Sequence, residues 1–439
     1  MKKILIITYY WPPAGGSGVQ RWLKFVKYLT KENFYCIVYT PQNPEMPVTD
    51  HSLIKDVPTT NFELIQSPIT EPYSLYKILT GKSSKDKITV SFLNEKKQTA
   101  SLIEKLSKWI RGNFFIPDAK MLWIRPSVKI LSSFLKNNKV DVIISTGPPH
   151  SLHIIALKLK QRFPNIKWIA DFRDPWTNID FLNELHLTSC ARQKHKRLEK
   201  KVVQTADGVI SVSPTLTKEL SALDPLNPNK FFTITNGFDE DDYLDMPTSA
   251  NTGNNFIITY AGLIPPNRNP IVLWKALKEL RTENLLPKNF ILRLIGKTDA
   301  AVIDTIREYE LDNYIQKIDY LPHSEVIKKE AESDALLLII NNAPNSKGIL
   351  TGKLFEYLAL QKPIIAIGPT DGDAAEILFH SNAGITIDYE DTGEMKKNLL
   401  KLFKNELKFP MNDKVKKYSR RSLTLDLIKI ICQTVKNNE

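Results

Sequence analysis

Two doubly wound α/β domains are the fold class this sequence predicts, on three observations. Short β-branched runs alternate with stretches of helical periodicity, the signature of parallel strands joined by crossover helices. The series runs twice, opening once at residues 4–8 and again at 256–260. Between the two, after Asn236-Gly237, the chain turns acidic (Asp239-Glu240-Asp241-Asp242) and then loose, with Thr, Ser, Asn and Gly over 247–255. That stretch is the expected linker. Ligands of such sheets bind beyond the carboxyl ends of the strands, so two domains of this kind are expected to face a common cleft.

The elements follow in order. Residues 4–8 form a nearly all-apolar strand, closed by Pro12-Pro13 and a glycine-rich turn. Over 20–31, Trp22, Phe25, Val26 and Leu29 recur at helical spacing, with Lys24, Lys27 and Lys31 on the other side. Residues 34–39, 140–146, 167–172 and 209–213 read as further strands of the first series. In the second series, 290–295, 335–340 and 363–367 follow the opening strand at 256–260. No short-period repeat is present, which excludes a solenoid.

Composition bounds the rest. The chain has 439 residues, 42% of them apolar and 25% charged, enough to bury two cores without disulfide or metal staples. Cys36, Cys190 and Cys432 are widely spaced and form no C-x-x-C pair, so a zinc site or disulfide framework is not expected and a reducing compartment is. The formal net charge of +12 favours anionic partners. No apolar run reaches the roughly 18 residues of a membrane span. The opening Met1-Lys2-Lys3 and its apolar run are broken by Tyr9-Tyr10-Trp11-Pro12-Pro13, so they read as a first strand and not as a signal peptide. The expected location is cytoplasmic, with a peripheral place on an anionic membrane face as one option.

That option rests on residues 82–112, where eight Lys/Arg stand against three acids, a net +5. Leu102, Ile103, Leu106, Trp109 and Ile110 share one face, and Phe114, Phe115 and Ile116 follow. A basic amphipathic helix of this kind can lie on an anionic bilayer. The commoner arrangement, and the one expected here, is a surface helix packing its apolar face on the sheet. Residues 192–201 are also basic, at net +5, but lack interleaved aromatics and read as a solvated helix, so nucleic acid is not an expected partner.

Five motifs stand at strand ends. Gly15-Gly16-Ser17-Gly18 precedes the first helix, where glycines admit a ligand to the backbone and helix-end N–H groups attract an anion. It is neither a P-loop nor a dinucleotide fingerprint, since Arg21 stands where the third glycine belongs. His150, in Gly147-Pro148-Pro149-His150-Ser151, follows the strand at 140–146, with His153 on the same helical face; a third metal ligand is lacking, so no metal is expected. Asp171-Phe172-Arg173-Asp174-Pro175-Trp176 ends the next strand. There Arg173 either holds a phosphate or pairs with a carboxylate inside the fold. Gly262 and Arg268, in Gly262-Leu263-Ile264-Pro265-Pro266-Asn267-Arg268, mirror the first glycine turn in the second domain. Arg268 suits a diphosphate, or is a solvated loop charge. Last, Leu350-Thr351-Gly352-Lys353-Leu354-Phe355-Glu356 opens a helix with a cation in its first turn, against the helix dipole, and with a carboxylate able to grip a vicinal diol.

Taken in this order, the motifs resemble the retaining nucleotide-sugar glycosyltransferases of the GT-B fold, specifically glycosyltransferase family 4. The likeness spans nearly the whole chain: the Tyr9-Tyr10-Trp11-Pro12-Pro13 opening and its glycine loop, Asn236-Gly237-Phe238-Asp239, and the helix from Lys353 to Ala359 with Lys362-Pro363 behind it. The helix is similar to the family's E-x7-E region. Glu356 matches the second glutamate, and Gly348 stands in place of the first. Leu263 occupies a position where many members carry arginine.

The resemblance implies an acceptor-side domain over 1–240 and a nucleotide-sugar domain over 255–414, with a terminal helix in 415–439 returning to the first. It implies that Glu356 binds the donor ribose and that Arg268, Lys353 and the amides of Gly15, Gly16, Gly18, Gly262, Leu350, Thr351 and Gly352 serve the diphosphate. Leu321-Pro322-His323, after a strand at 318–320, would meet the base. His150, Arg173 and Asp174 would lie near the transferred sugar or acceptor. No metal or other cofactor is implied, because the cations and helix-end amides stabilise the leaving phosphate. The expected activity is retaining transfer from a nucleotide sugar to a glycan or lipid-linked acceptor in cell-surface polysaccharide synthesis. A nucleotide-sugar epimerase and a non-catalytic nucleotide-sugar-binding protein are the alternatives.

Overall fold

The structure, a computed structural model, describes residues 1–46, 48–71, 102–179, 182, 185–243, 255–319, 321–407, 409–410 and 413–436. Residues 247–254 of the expected linker and 82–101 of the basic stretch lie outside these residues. The chain divides into Met1–Thr235 with Leu423–Glu439, and Asn236–Ser422. The boundary precedes the acidic turn because the backbone of Phe238 bonds to Tyr418 and Arg420, which ties that turn into the second unit.

The first unit is built on seven parallel strands in the order β3-β2-β1-β4-β5-β6-β7. They are β1 (Lys3–Ile7), β2 (Tyr35–Pro41), β3 (Phe62–Ser67), β4 (Val142–Gly147), β5 (Lys167–Phe172), β6 (Gly208–Ser211) and β7 (Phe231–Thr233). β1 is flanked on both sides, with Ile4 opposite Cys36 and opposite Val142, and its run Ile4–Ile7 is fully buried. This is why β1 reads as continuous hydrophobicity without alternation. Its first crossover helix, α1 (Ser17–Lys31), begins at Gly16. Among the later helices of this unit are α2 (Leu102–Phe114), α3 (Ser151–Arg162) and α4 (Ser189–Thr205).

The second unit repeats the plan with six parallel strands in the order β10-β9-β8-β11-β12-β13. These are β8 (Phe256–Ala261), β9 (Phe290–Ile295), β10 (Ile315–Ile318), β11 (Ala335–Ile339), β12 (Ile364–Ile367) and β13 (Gly384–Ile387). Its site-bearing helices are α5 (His323–Ala331) and α6 (Gly352–Leu360). Helix α7 (Arg420–Lys436) ends the chain, and its Leu423, Leu427, Ile430 and Ile431 join Ile4, Ile6 and Trp22 in the core of the first unit. In each sheet the order reverses between β1 and β4, or between β8 and β11. Those switch points are where such sheets bind ligands.

Central strands are where they were expected, and the outer ones are the corrections. β3, β7 and β13 have no counterpart in the expected strands, and the strand expected at 318–320 lies at Ile315–Ile318. β3 mixes Glu63, Gln66 and Ser67 with its apolar residues, and β10 exposes Gln316 and Lys317. Strands at the margin of a sheet bury less surface and lose the apolar signal. A second correction concerns α2. The described apolar residues of its second half do not pack into the sheet: Leu106, Trp109, Ile110 and Phe114 are 56%, 38%, 39% and 63% exposed. The acidic run at Asp239-Glu240-Asp241 reads from sequence as a solvated turn with helix capping; Asp239 does cap the short helix Glu240–Asp242, by accepting from the Asp241 amide, but it is buried.

Candidate functional site

At the switch point of the second sheet, β8 ends in Tyr260, Ala261 and Gly262. Gly262 has φ 133°, and a Cβ there would stand 2.6 Å from the Lys353 ammonium, so only glycine admits that side chain. Lys353, in the first turn of α6, holds its ammonium 5.7 Å from the centre of the Tyr260 ring. Arg268 approaches the same tyrosine from the β8–helix loop. Its Nη1 donates to the Tyr260 hydroxyl at 3.4 Å and to the Leu263 carbonyl at 3.2 Å, while Nε donates to Asn341 Oδ1 at 2.5 Å. Asn341 follows β11, so the two strands of the switch point aim this guanidinium together. Among the described residues neither cation has a carboxylate within ion-pair distance. Two positive charges on one tyrosine, both without a counter-ion, suit an anion with more than one charge.

Helix α6 starts at the cap residue Thr351, whose hydroxyl is buried without a hydrogen-bond partner among the described residues, and around Gly352 the space is open. Leu354, Phe355, Tyr357 and Leu358 bury one side of the helix, leaving Lys353 and Glu356 on the other. Glu356 Oε1 lies 3.3 Å from His323 Nε2, at the first residue of α5. Burial raises the Glu356 carboxyl, but the His323 contact and the charges of Lys353 and Arg420 bring it below its ordinary value. It is therefore a carboxylate at neutral pH, ready to accept from two hydroxyls.

Behind it, α5 carries a second acid. Glu330 is 1% exposed and neither carboxyl oxygen has a partner among the described residues. Burial, then the Glu356 charge, push its carboxyl well above the usual range, against the pull of Lys353. A carboxyl raised in the fold stabilises fully below its unfolded value, about 4.3, and that contribution fades as pH climbs through the folded value. Glu330→Gln removes the titration. Thermal melts from pH 4.5 to 7.5 are expected to show wild type losing stability relative to the variant. The difference between the two should widen steadily against the wild type as pH rises through the range, because the folded carboxyl holds its proton to a higher pH than the unfolded one. Parallel curves would show that Glu330 does not titrate in this way.

In the first unit, the expected residues also gather at the switch point, with different employment. Gly16 caps α1 at φ 89° with open space around it, and Gly15 is held by its amide on the Val48 carbonyl at 2.9 Å. The Arg173 guanidinium donates to the carbonyls of Gly18 (2.9 Å) and Pro148 and faces the Tyr10 ring. These backbone carbonyls join the turns after β1 and β4 through one guanidinium. Asp174 is exposed beside it. His150 caps α3 and stacks on Trp176 at 4.6 Å with the two rings nearly parallel. A Cβ on Gly147 would come within 3.0 Å of both His150 Nδ1 and His153 Nε2, and neither nitrogen has a partner among the described residues. Burial lowers both imidazoles, His153 to about 3, so both are neutral bases at pH 7.

Sequence comparison places both halves. The profile of Glycosyltransferase Family 4 matches residues 91–242, and that of Glycosyl transferases group 1 matches residues 244–422. The chain belongs to glycosyltransferase family 4. No curated protein sequence matches it significantly. Solved structures show the GT-B fold for this family 4 chain. A glycosyltransferase from Rickettsia africae is 15% identical with TM-score 0.62, over 99% of each chain. HepE of Anabaena, solved in complex with UDP, is 14% identical with TM-score 0.56, over 100% of this chain and 99% of that one. WaaG, a glycosyltransferase involved in lipopolysaccharide biosynthesis, is 11% identical with TM-score 0.53, over 99% of each chain.

Several residues of this glycosyltransferase escape sequence reasoning. Arg21 stands out in the sequence only as an absent glycine, yet it forms a fully buried ion pair with Asp171 at 2.8 Å, which Trp22 and Thr146 also donate to. Asn341 and Tyr260 orient Arg268 but carry no motif. Glu330 sits beside Lys329 in a run that reads as solvated charge. His323 is expected against the base with Leu321; in the structure its ring meets Glu356, and Leu321 is half-buried in the turn before it.

Proposed function

We propose that this glycosyltransferase takes a nucleotide-sugar donor in its second unit and transfers the sugar, with retention, to a glycan or lipid-linked acceptor in cell-surface polysaccharide synthesis. The observation that carries the reading is the pair Arg268 and Lys353, without carboxylate partners among the described residues, beside the open start of α6 and the Glu356 carboxylate. HepE supports it as a protein of this fold bound to UDP. In this reading the two cations and the α6 amides receive the diphosphate, and Glu356 accepts from the ribose hydroxyls. The loop at Leu321 lies by the base. The acceptor hydroxyl oxygen bonds to the anomeric carbon as the bond to the phosphate oxygen breaks, and the hydroxyl proton passes to that phosphate on the same face. Fixed cations stabilise the developing phosphate charge by several kcal/mol. His150, Arg173 and Asp174 serve the sugar and acceptor side.

A thermal-shift panel of nucleotide sugars tests the donor claim. One of them is expected to raise the melting temperature, and Arg268→Ala with Lys353→Ala to abolish the rise. No shift with any donor, or a shift indifferent to both changes, would contradict the reading. Incubation of that donor alone should give slow hydrolysis; an epimerised donor would point to the epimerase alternative. The proposed chemistry needs no divalent ion, so turnover is expected to survive an excess of EDTA. Loss of turnover that added magnesium restores would refute that part.

A further inference from the structure

We propose that α2 and α4 of the first unit form a docking surface for an anionic lipid bilayer. Along α2, Leu106, Trp109, Ile110 and Phe114 follow helical spacing and are all exposed, an apolar strip without a protein partner among the described residues. Along α4, Arg192, Lys194, Lys196, Arg197, Lys200 and Lys201 are all exposed, while the one acid of the helix, Glu199, is buried. None of the six cations forms an ion pair among the described residues. The buried side of α4, with Ala191, His195, Glu199, Val202 and Val203, faces the core, so every charge on its outer surface is positive.

The helices adjoin. Asn113, near the end of α2, accepts from the Thr188 amide at 2.7 Å and donates to the His186 carbonyl at 3.3 Å, just ahead of the first residue of α4. A side chain at Gly112 would come within 2.9 Å of Leu185, so this close approach requires glycine. An apolar strip joined to a dense, unpaired cationic face matches the two layers of an anionic membrane surface: acyl boundary for the first, headgroups for the second. A nucleic acid would use the cations and leave the strip unused.

Flotation of the full chain with vesicles tests this. The protein is expected to float with phosphatidylcholine vesicles holding about 30% phosphatidylglycerol and to stay behind with phosphatidylcholine alone, and added salt should weaken the binding. The Lys196→Gln, Arg197→Gln, Lys200→Gln triple variant should lose about 100-fold in partitioning, roughly fivefold per cation. Leu106→Ser with Phe114→Ser should lose about tenfold or more. These side chains are exposed, and circular dichroism should confirm that both variants fold. Failure of the wild type to float overturns the proposal. So does flotation that the α2 variant leaves unchanged, and a short duplex binding equally to wild type and α2 variant would then assign the cations to nucleic acid.

Discussion

Asp171→Ala is expected to destabilise the first unit by about 3–5 kcal/mol, the usual consequence of stranding one member of a buried ion pair. Arg21 and Asp171 are 1% and 0% exposed, and the carboxylate accepts from two nitrogens of Arg21, the Trp22 indole and the Thr146 hydroxyl. Removing it leaves a guanidinium, an indole N–H and a hydroxyl without their acceptor. For a unit of this size each kcal/mol moves a melting midpoint by about 2–4 °C, so the first transition should fall by about 6–20 °C. The double change Arg21→Met, Asp171→Leu should recover most of the loss, because it removes both charges together. A single variant that melts within about 1 kcal/mol of wild type would show that the pair does not hold α1 against β5.

Glu356→Ala is expected to weaken donor binding and kcat/KM by about 100-fold or more, since each hydrogen bond to a charged group contributes about 1.5–3 kcal/mol. The fold should survive, because the carboxylate is partly exposed and its only hydrogen-bond partner among the described residues, His323, is itself exposed. The pH profile has a definite sign. The carboxyl lies below its ordinary value, so wild-type donor affinity should hold at mildly acid pH and fail only as Glu356 protonates. Affinity that falls by half between pH 7 and 6 would assign the contact to another group.

The interior of each sheet was readable because its strands are buried on both faces: β1 and β8 appear as apolar runs, each followed by a glycine turn. The margins were not, because β3, β10 and β13 keep polar or small residues that resemble loop. Site residues divide the same way. Gly262, Lys353 and Glu356 could be found because a cation in the first turn of a helix and a glycine after a strand are local anomalies. Arg21 and Asp171 are 150 residues apart, and nothing near either shows that they meet. Glu330 is hidden for a similar reason, since the burial of one acid in a run of charges depends on which side α5 turns inward. The exposure of α2 was likewise beyond periodicity, which finds an apolar face but not what covers it.

Titration calorimetry of a pentose cycle tests the central claim most directly. The best-bound nucleoside diphosphate and its 2′,3′-dideoxy analogue are titrated into wild type and Glu356→Gln. If Glu356 holds the ribose diol, the dideoxy change should cost wild type about 100-fold and the variant almost nothing, so that the two losses do not add. Equal losses in both proteins would mean that Glu356 does not touch the sugar of the nucleotide, and the donor site would have to be sought elsewhere.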